Sequence, residues 1–211
     1  FCVDRAGIVG ADGATHNGVL DIAFLRSVPG MKIYCPSNFS ELRSMMTQAV
    51  YHENGPVVIR YPRGGEGAFD ADTSGQMIAC VRPAAGHDVT LLTHGAMVGR
   101  VLAAAELLEK KQIRAQVYKV TELGAELETA FERIQDMLNG WCLVVEDNIE
   151  SGSLGEWVSA HRAGRTDMLN TGDRFLPHGS VDEVCRFCGL DAESIADYVI
   201  KNRKRKEDSL G

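Results

Sequence analysis

Short apolar strands alternate with amphipathic helices along this chain, and that alternation constrains its fold more than any other feature. Runs at 31–35, 56–61, 88–93, 115–120 and 141–145, with a shorter one at 168–170, read as strands. Stretches at 19–28, from about 38 to the Asn54-Gly55 stop, and at 97–111, 127–138, 154–161, 181–188 and 192–201 read as helices. Ser37 or Asn38 suits the N-cap of the second helix, and Gly189 the C-cap between the last two. Strands separated by helices pair in parallel, and such sheets need cover on both faces. The fold class expected is α/β, built as two parallel-sheet units.

The break between the units lies at 64–80, where Gly64, Gly65, Gly67 and Gly75 interrupt a stretch with no apolar period. We read 1–63 as the first unit, 64–80 as a linker and 81–211 as the second unit. Phe1-Cys2-Val3 reads as the end of a buried strand, so a piece of a longer polypeptide is expected, or a partner chain that supplies further strands. The basic run at 201–206 reads as a solvated tail.

The net charge of -7 argues against nonspecific nucleic-acid binding, and no apolar run is long enough to span a membrane. No basic start followed by an apolar core opens the sequence, and a cytoplasmic location is expected. Most of the six cysteines fall in apolar runs and suit a reducing compartment. Cys185 and Cys188 form a lone C-x-x-C, which on a helix places two thiols on one face rather than building a metal site.

Chemistry concentrates in the glycine-broken segment from Asp4 to Gly18. It holds Arg5, Asp12 and His16 beyond an apolar start. Arg63 follows another strand in Arg60-Tyr61-Pro62-Arg63-Gly64. Ligands of parallel sheets bind at the carboxyl ends of strands. Two guanidiniums converging there form an anion clamp suited to phosphate. His16 can move a proton near neutral pH, and Asp12 can orient it or bind a hydroxyl. In the alternative, Arg5 pairs with Asp4 or Asp12 and His16 caps the next helix. His87, His94 and His178 read as structural, and Glu146 and Asp147 as caps for the helix beyond Ser151 in preference to lining an interface.

The stretch Asp4-Arg5-Ala6-Gly7-Ile8-Val9-Gly10-Ala11-Asp12-Gly13-Ala14-Thr15-His16-Asn17-Gly18 resembles the 1-deoxy-D-xylulose-5-phosphate synthase family. So do Pro36-Ser37, Arg60-Tyr61-Pro62-Arg63-Gly64, Arg174-Phe175-Leu176-Pro177-His178-Gly179-Ser180 and Gly189-Leu190-Asp191-Ala192. The resemblance implies part of a thiamine-diphosphate pyrimidine-binding domain followed by a transketolase C-terminal-like domain. It further implies a transferase that condenses pyruvate with D-glyceraldehyde 3-phosphate, with loss of carbon dioxide, toward isoprenoid, thiamine and pyridoxal precursors. Arg5 and Arg63 would hold the substrate phosphate, and Asp12 and His16 the aldehyde and hydroxyl end, His16 donating a proton to the forming alkoxide. Thiamine diphosphate and Mg would be bound mainly by residues outside this sequence, in a homodimer, and the chain alone is expected to be inactive. Residues 119–124 depart from the family in lacking a proline-containing turn, and 146–155 in having fewer glycines. Rival readings are the C-terminal subunit of a split transketolase, a 2-oxo acid dehydrogenase β-subunit-like protein, or a non-catalytic dimerisation module.

Overall fold

The computed structural model describes residues 1–124 and 126–203. The first unit runs β1 (Cys2–Val3), α1 (Asp21–Leu25), β2 (Lys32–Tyr34), α2 (Phe39–Tyr51) and β3 (Val57–Arg60). The second begins with β4 (Ile78–Arg82), β5 (Val89–His94), α3 (Met97–Glu109), β6 (Ala115–Val120), β7 (Glu122–Gly124) and α4 (Leu127–Glu132). A 3₁₀ turn (Gln135–Leu138), β8 (Cys142–Val145), α5 (Leu154–His161), β9 (Thr166–Leu169), α6 (Val181–Cys188) and α7 (Ala192–Asn202) complete it. The basic run read as a tail lies, from residue 204, outside the described residues.

The strands form a four-stranded sheet, β1-β3-β2-β7, and a five-stranded sheet, β4-β6-β5-β8-β9. Both are α/β sheets as expected, and most neighbours are parallel. Each also carries one antiparallel edge: β4 against β6, and β7 against β2. The second pairing has no counterpart in the sequence reading. Residues 119–124, which lack the expected proline turn, continue from β6 into β7 and add a strand to the other unit's sheet. A proline has no N–H to donate to such a ladder.

Every residue of β5, β6 and β8 is buried, because helices or the other sheet cover both faces. One face, with Val89, Leu91 and Val117, packs on Val101, Leu108 and Val199 of α3 and α7. The other, with Leu92, Val120 and Val144, shares a core with Ile22, Ile33 and Val58 of the first unit. Side chains alternate along a strand, so Tyr34, Val57 and Ile59 point the opposite way, onto Met45 of α2. Both tryptophans belong to the second unit. Trp141 lies under the Arg165 guanidinium at 4.1 Å, and Trp157 stacks on His161 at 4.3 Å.

In this chain β1 is flanked by β3, and Phe1 and Cys2 are exposed. Two local expectations are corrected. Helix α1 covers five residues rather than ten, since the polypeptide turns at Arg26 before Pro29-Gly30. Helical spacing groups Leu42, Met45, Met46, Ala49 and Val50 as the apolar positions of α2, but Met46 and Val50 face outward, and Glu41 and Met45 are its buried residues.

Glu41 is buried because it meets Lys119 of β6, itself fully buried, in an ion pair across the two units. The stretch between β3 and β4 threads between these units. Thr73 donates its backbone N–H (3.1 Å) and hydroxyl (2.7 Å) to Glu41, and Asn38, the N-cap of α2, donates to the carbonyls of Phe69 and Ala71. Burial pulls the Lys119 ammonium below its usual range, while Glu41 opposes the shift. Removing one member of a buried pair strands the other charge. Lys119→Ala is therefore expected to cost about 3–5 kcal/mol in guanidinium denaturation, and a Lys119→Met, Glu41→Leu double variant to recover much of it.

At the β2–β7 seam, burial pushes the Glu122 carboxyl up to about 7; Lys32 opposes the shift, and Glu126 and Glu53 add to it. Such a carboxyl holds its proton more tightly folded than unfolded, where it titrates near 4.5. Its contribution to stability is complete below that lower value and is lost as pH rises through 7. Thermal melts between these limits should show wild type losing stability with rising pH, and Glu122→Gln losing less.

Candidate functional site

β1 and β3 are parallel neighbours with Val3 opposite Arg60, so the chain beyond each strand emerges at the same place. Arg5 follows the first and Arg63 the second. Between β1 and α1 the chain folds into a loop closed at its base: Gly18 N–H donates to the Arg5 carbonyl (3.0 Å), and Gly7 N–H to the Gly18 carbonyl (3.0 Å). Within it, Val9 N–H donates to the Asn17 side chain at 2.8 Å, and Asn17 donates to the Gly13 carbonyl.

Two glycines let this loop sit hard against the second unit. A Cβ on Gly7 would fall 1.7 Å from an Asp147 oxygen, and one on Gly10 would fall 2.6 Å from the Gly179 carbonyl. Both residues also take positive φ, 70° and 69°, which glycine adopts freely. Arg5 adopts φ 58° without that freedom, a conformation held here by the surrounding bonds.

Arg60 anchors the loop from below. Its guanidinium is buried and donates to the Gly18 carbonyl at 2.8 Å. Asp21 of α1 lies 3.4 Å from its Nε and Asp147, beyond β8, 3.7 Å from Nη1. Burial opposes the Arg60 charge, but Asp147, Cys35 and Asp21 together hold its pKa above the ordinary value. Burial raises the Asp21 carboxyl, and Arg60 offsets part of that rise.

Arg5 and Arg63 do converge. The Arg5 Nε donates to one carboxylate oxygen of Asp12 at 3.0 Å, and the Arg63 guanidinium donates to the other. Arg5 also pairs with Asp4. Three of the four residues singled out in the sequence are thus joined directly. His16 is exposed on the same loop; its Nδ1 lies 3.2 Å from the Thr15 hydroxyl. It does not cap the following helix, which has Leu20 at its N-cap and no side-chain cap.

The strand order of the five-stranded sheet reverses between the parallel neighbours β5 and β8, the switch point where α/β sheets bind ligands. A cleft of about 510 Å³ lies beside these strands, bounded by Arg63, Ala96, Arg100, Asp147 and Arg186. The loops of the first unit therefore roof the switch point of the second.

Glu146 caps α5 as expected, accepting from the Gly155 N–H at 2.7 Å and the Leu154 N–H at 3.2 Å. Asp147 instead faces Arg60 and Gly7. His94 is fully buried, 3.2 Å from Glu146. Burial works against its charge, yet contacts with Cys35 and Glu146 raise it to about 10. The sequence held no sign of this pairing, because the partners lie on different strands. Cys185 and Cys188 are free, and burial pushes the Cys185 thiol up to about 12, the reverse of a reactive thiolate. Among the described residues, no group of three or more His, Cys, Asp or Glu is arranged to hold a metal, and no helix is long and apolar enough to cross a membrane.

Residues 1–65 match the family model of the transketolase pyrimidine binding domain, and residues 79–195 that of the transketolase C-terminal domain. The chain is 38% identical over 210 residues to a 1-deoxy-D-xylulose-5-phosphate synthase of Chlorobium luteolum, covering 94% of this chain and 33% of that protein. It is 36% identical to the synthase of Chromohalobacter salexigens, covering 99% of this chain and 32% of that one. It thus spans about a third of the length of these curated relatives. Among solved structures, a split gene transketolase, described as an inactive beta4 tetramer, superposes with TM-score 0.75 at 24% identity over 96% of this chain and 65% of that one. A transketolase from Campylobacter jejuni gives 0.74 at 18% identity, over 95% and 31%. These structures share the fold, and the two domain matches together with the relatives establish that the chain belongs to the transketolase family.

Proposed function

We propose that this chain is the C-terminal portion of a 1-deoxy-D-xylulose-5-phosphate synthase, comprising part of a pyrimidine-binding domain (1–63), a linker (64–80) and a transketolase C-terminal-like domain (81–211). The reaction joins pyruvate to D-glyceraldehyde 3-phosphate with loss of carbon dioxide, and its product feeds isoprenoid, thiamine and pyridoxal synthesis. The observation that carries this reading is the convergence of Arg5 and Arg63, from two separate loops, on a single anionic group. A phosphate ester fits such a pair better than a neutral substrate does.

Thiamine diphosphate supplies the carbanion chemistry when bound. We assign the diphosphate and its Mg to parts of the enzyme outside this chain. The work of this chain lies at the acceptor. Arg5 and Arg63 hold the phosphate, which fixes the aldehyde for attack. Asp12 accepts from a substrate hydroxyl, and His16, exposed at the loop tip, delivers a proton to the forming alkoxide. We place the complete enzyme in the cytoplasm as a homodimer.

The test is carbon dioxide release from pyruvate with thiamine diphosphate, Mg and glyceraldehyde 3-phosphate, with and without a separately supplied upstream portion. The chain alone is expected to be silent and the mixture active; turnover by the chain alone overturns the assignment of the cofactor site. A mixture that transfers two-carbon units from a ketose, or that reduces lipoyl groups, identifies a split transketolase or a dehydrogenase subunit instead. In the active mixture, Arg63→Ala should raise KM for glyceraldehyde 3-phosphate by roughly 10–100-fold, as loss of a charged hydrogen bond predicts, with little change for pyruvate. His16→Gln should act on kcat, by about 100-fold.

A further inference from the structure

The phosphate clamp just described already holds an anion, and that anion is part of the chain. Arg5 and Arg63 take one oxygen each of the Asp12 carboxylate. An ordinary surface ion pair joins two side chains; this one closes two separate loops over a third group. Asp12 sits within the turn that Gly13 N–H and the Gly10 carbonyl close at 3.0 Å, at the exposed end of the loop. We propose that Asp12 is a place-holder: its carboxylate occupies the position between Arg5 and Arg63 that the acceptor's phosphate takes, and the phosphate binds by displacing it. This rests on the reading of Arg5 and Arg63 as the phosphate clamp.

The energetics favour exchange. The side chains of Arg5 and Arg63 are 42% and 53% exposed and that of Asp12 18%, so water screens both ion pairs from the arginine side. A phosphate ester brings nearly two charges and three acceptor oxygens, against the carboxylate's one charge and two oxygens. Displacement leaves the clamp intact. Arg5 remains tied to Asp4, and its backbone is held by the Gly18 N–H at 3.0 Å. The released carboxylate is then free to meet the acceptor's hydroxyls, so arrival of the phosphate prepares the residue that receives the other end of the molecule.

The test is titration of the enzyme reconstituted from this chain and the upstream portion with methyl phosphate, a non-reacting phosphate ester that offers Asp12 no hydroxyl, by calorimetry. Asp12→Asn is expected to tighten binding about tenfold, and Asp12→Ala to do the same. Asp4→Asn removes an equal charge from the same arginine without freeing the clamp, and is expected not to tighten it. Equal tightening by Asp4→Asn and Asp12→Asn reduces the effect to net charge and overturns the proposal. Equal affinity of wild type and Asp12→Asn, with both weakened by Arg63→Ala, also overturns it while leaving the clamp standing. Absence of binding in every variant, or binding indifferent to Arg5→Ala and Arg63→Ala, overturns the clamp itself.

Discussion

The buried guanidinium of Arg60 is the constraint on which the rest of the site depends. It ends β3, holds the Gly18 carbonyl at the loop base, and faces Asp21 of α1 and Asp147 of the second unit. A charge this deeply buried is tolerable only among partners. The partners come from separate parts of the chain, so satisfying the charge also fixes where those parts lie. Arg5 and Asp12 are placed from below by this residue and from the side by Gly7 and Gly10, which let the loop touch the second unit.

A second buried charge does the same for the frame. Lys119 and Glu41 join β6 to α2, with Thr73 of the connecting stretch bonded to both. The β7–β2 ladder and the shared core of Ile33, Val58, Leu92 and Val120 bind the same seam. The units are separate in sequence and continuous in structure: a strand from one extends the sheet of the other. Polar bonds fix the alignment, and the apolar face supplies most of the attraction.

The strands and helices were legible because each announces itself locally. The six residues of β6 and the eight of α5 lie where apolar periodicity put them. Asn38 and Gly189 mark helix ends by local chemistry that a short window contains. Arg5, Asp12 and Arg63 could be singled out because charged residues followed apolar strands. What could not be read depends on contacts distant in sequence. Nothing around Glu122 says that its strand runs antiparallel to β2, and nothing near His94 foretells Glu146. The meeting of Arg5 and Arg63 on Asp12 likewise follows from the β1–β3 register, which the strands alone do not specify.

The position of the two tryptophans gives the molecule an optical asymmetry. Trp141 packs in the second unit's own core and Trp157 against the shared core, with the guanidinium of Arg26, the C-cap of α1, 5.8 Å from its ring, while residues 1–63 carry tyrosines at 34, 51 and 61 and no indole. Indole emission therefore reports on the second unit and on its seam with the first, and far-ultraviolet circular dichroism on both units throughout. Where the two signals part company during unfolding, the spectrum records the order in which the halves of a jointly built sheet separate.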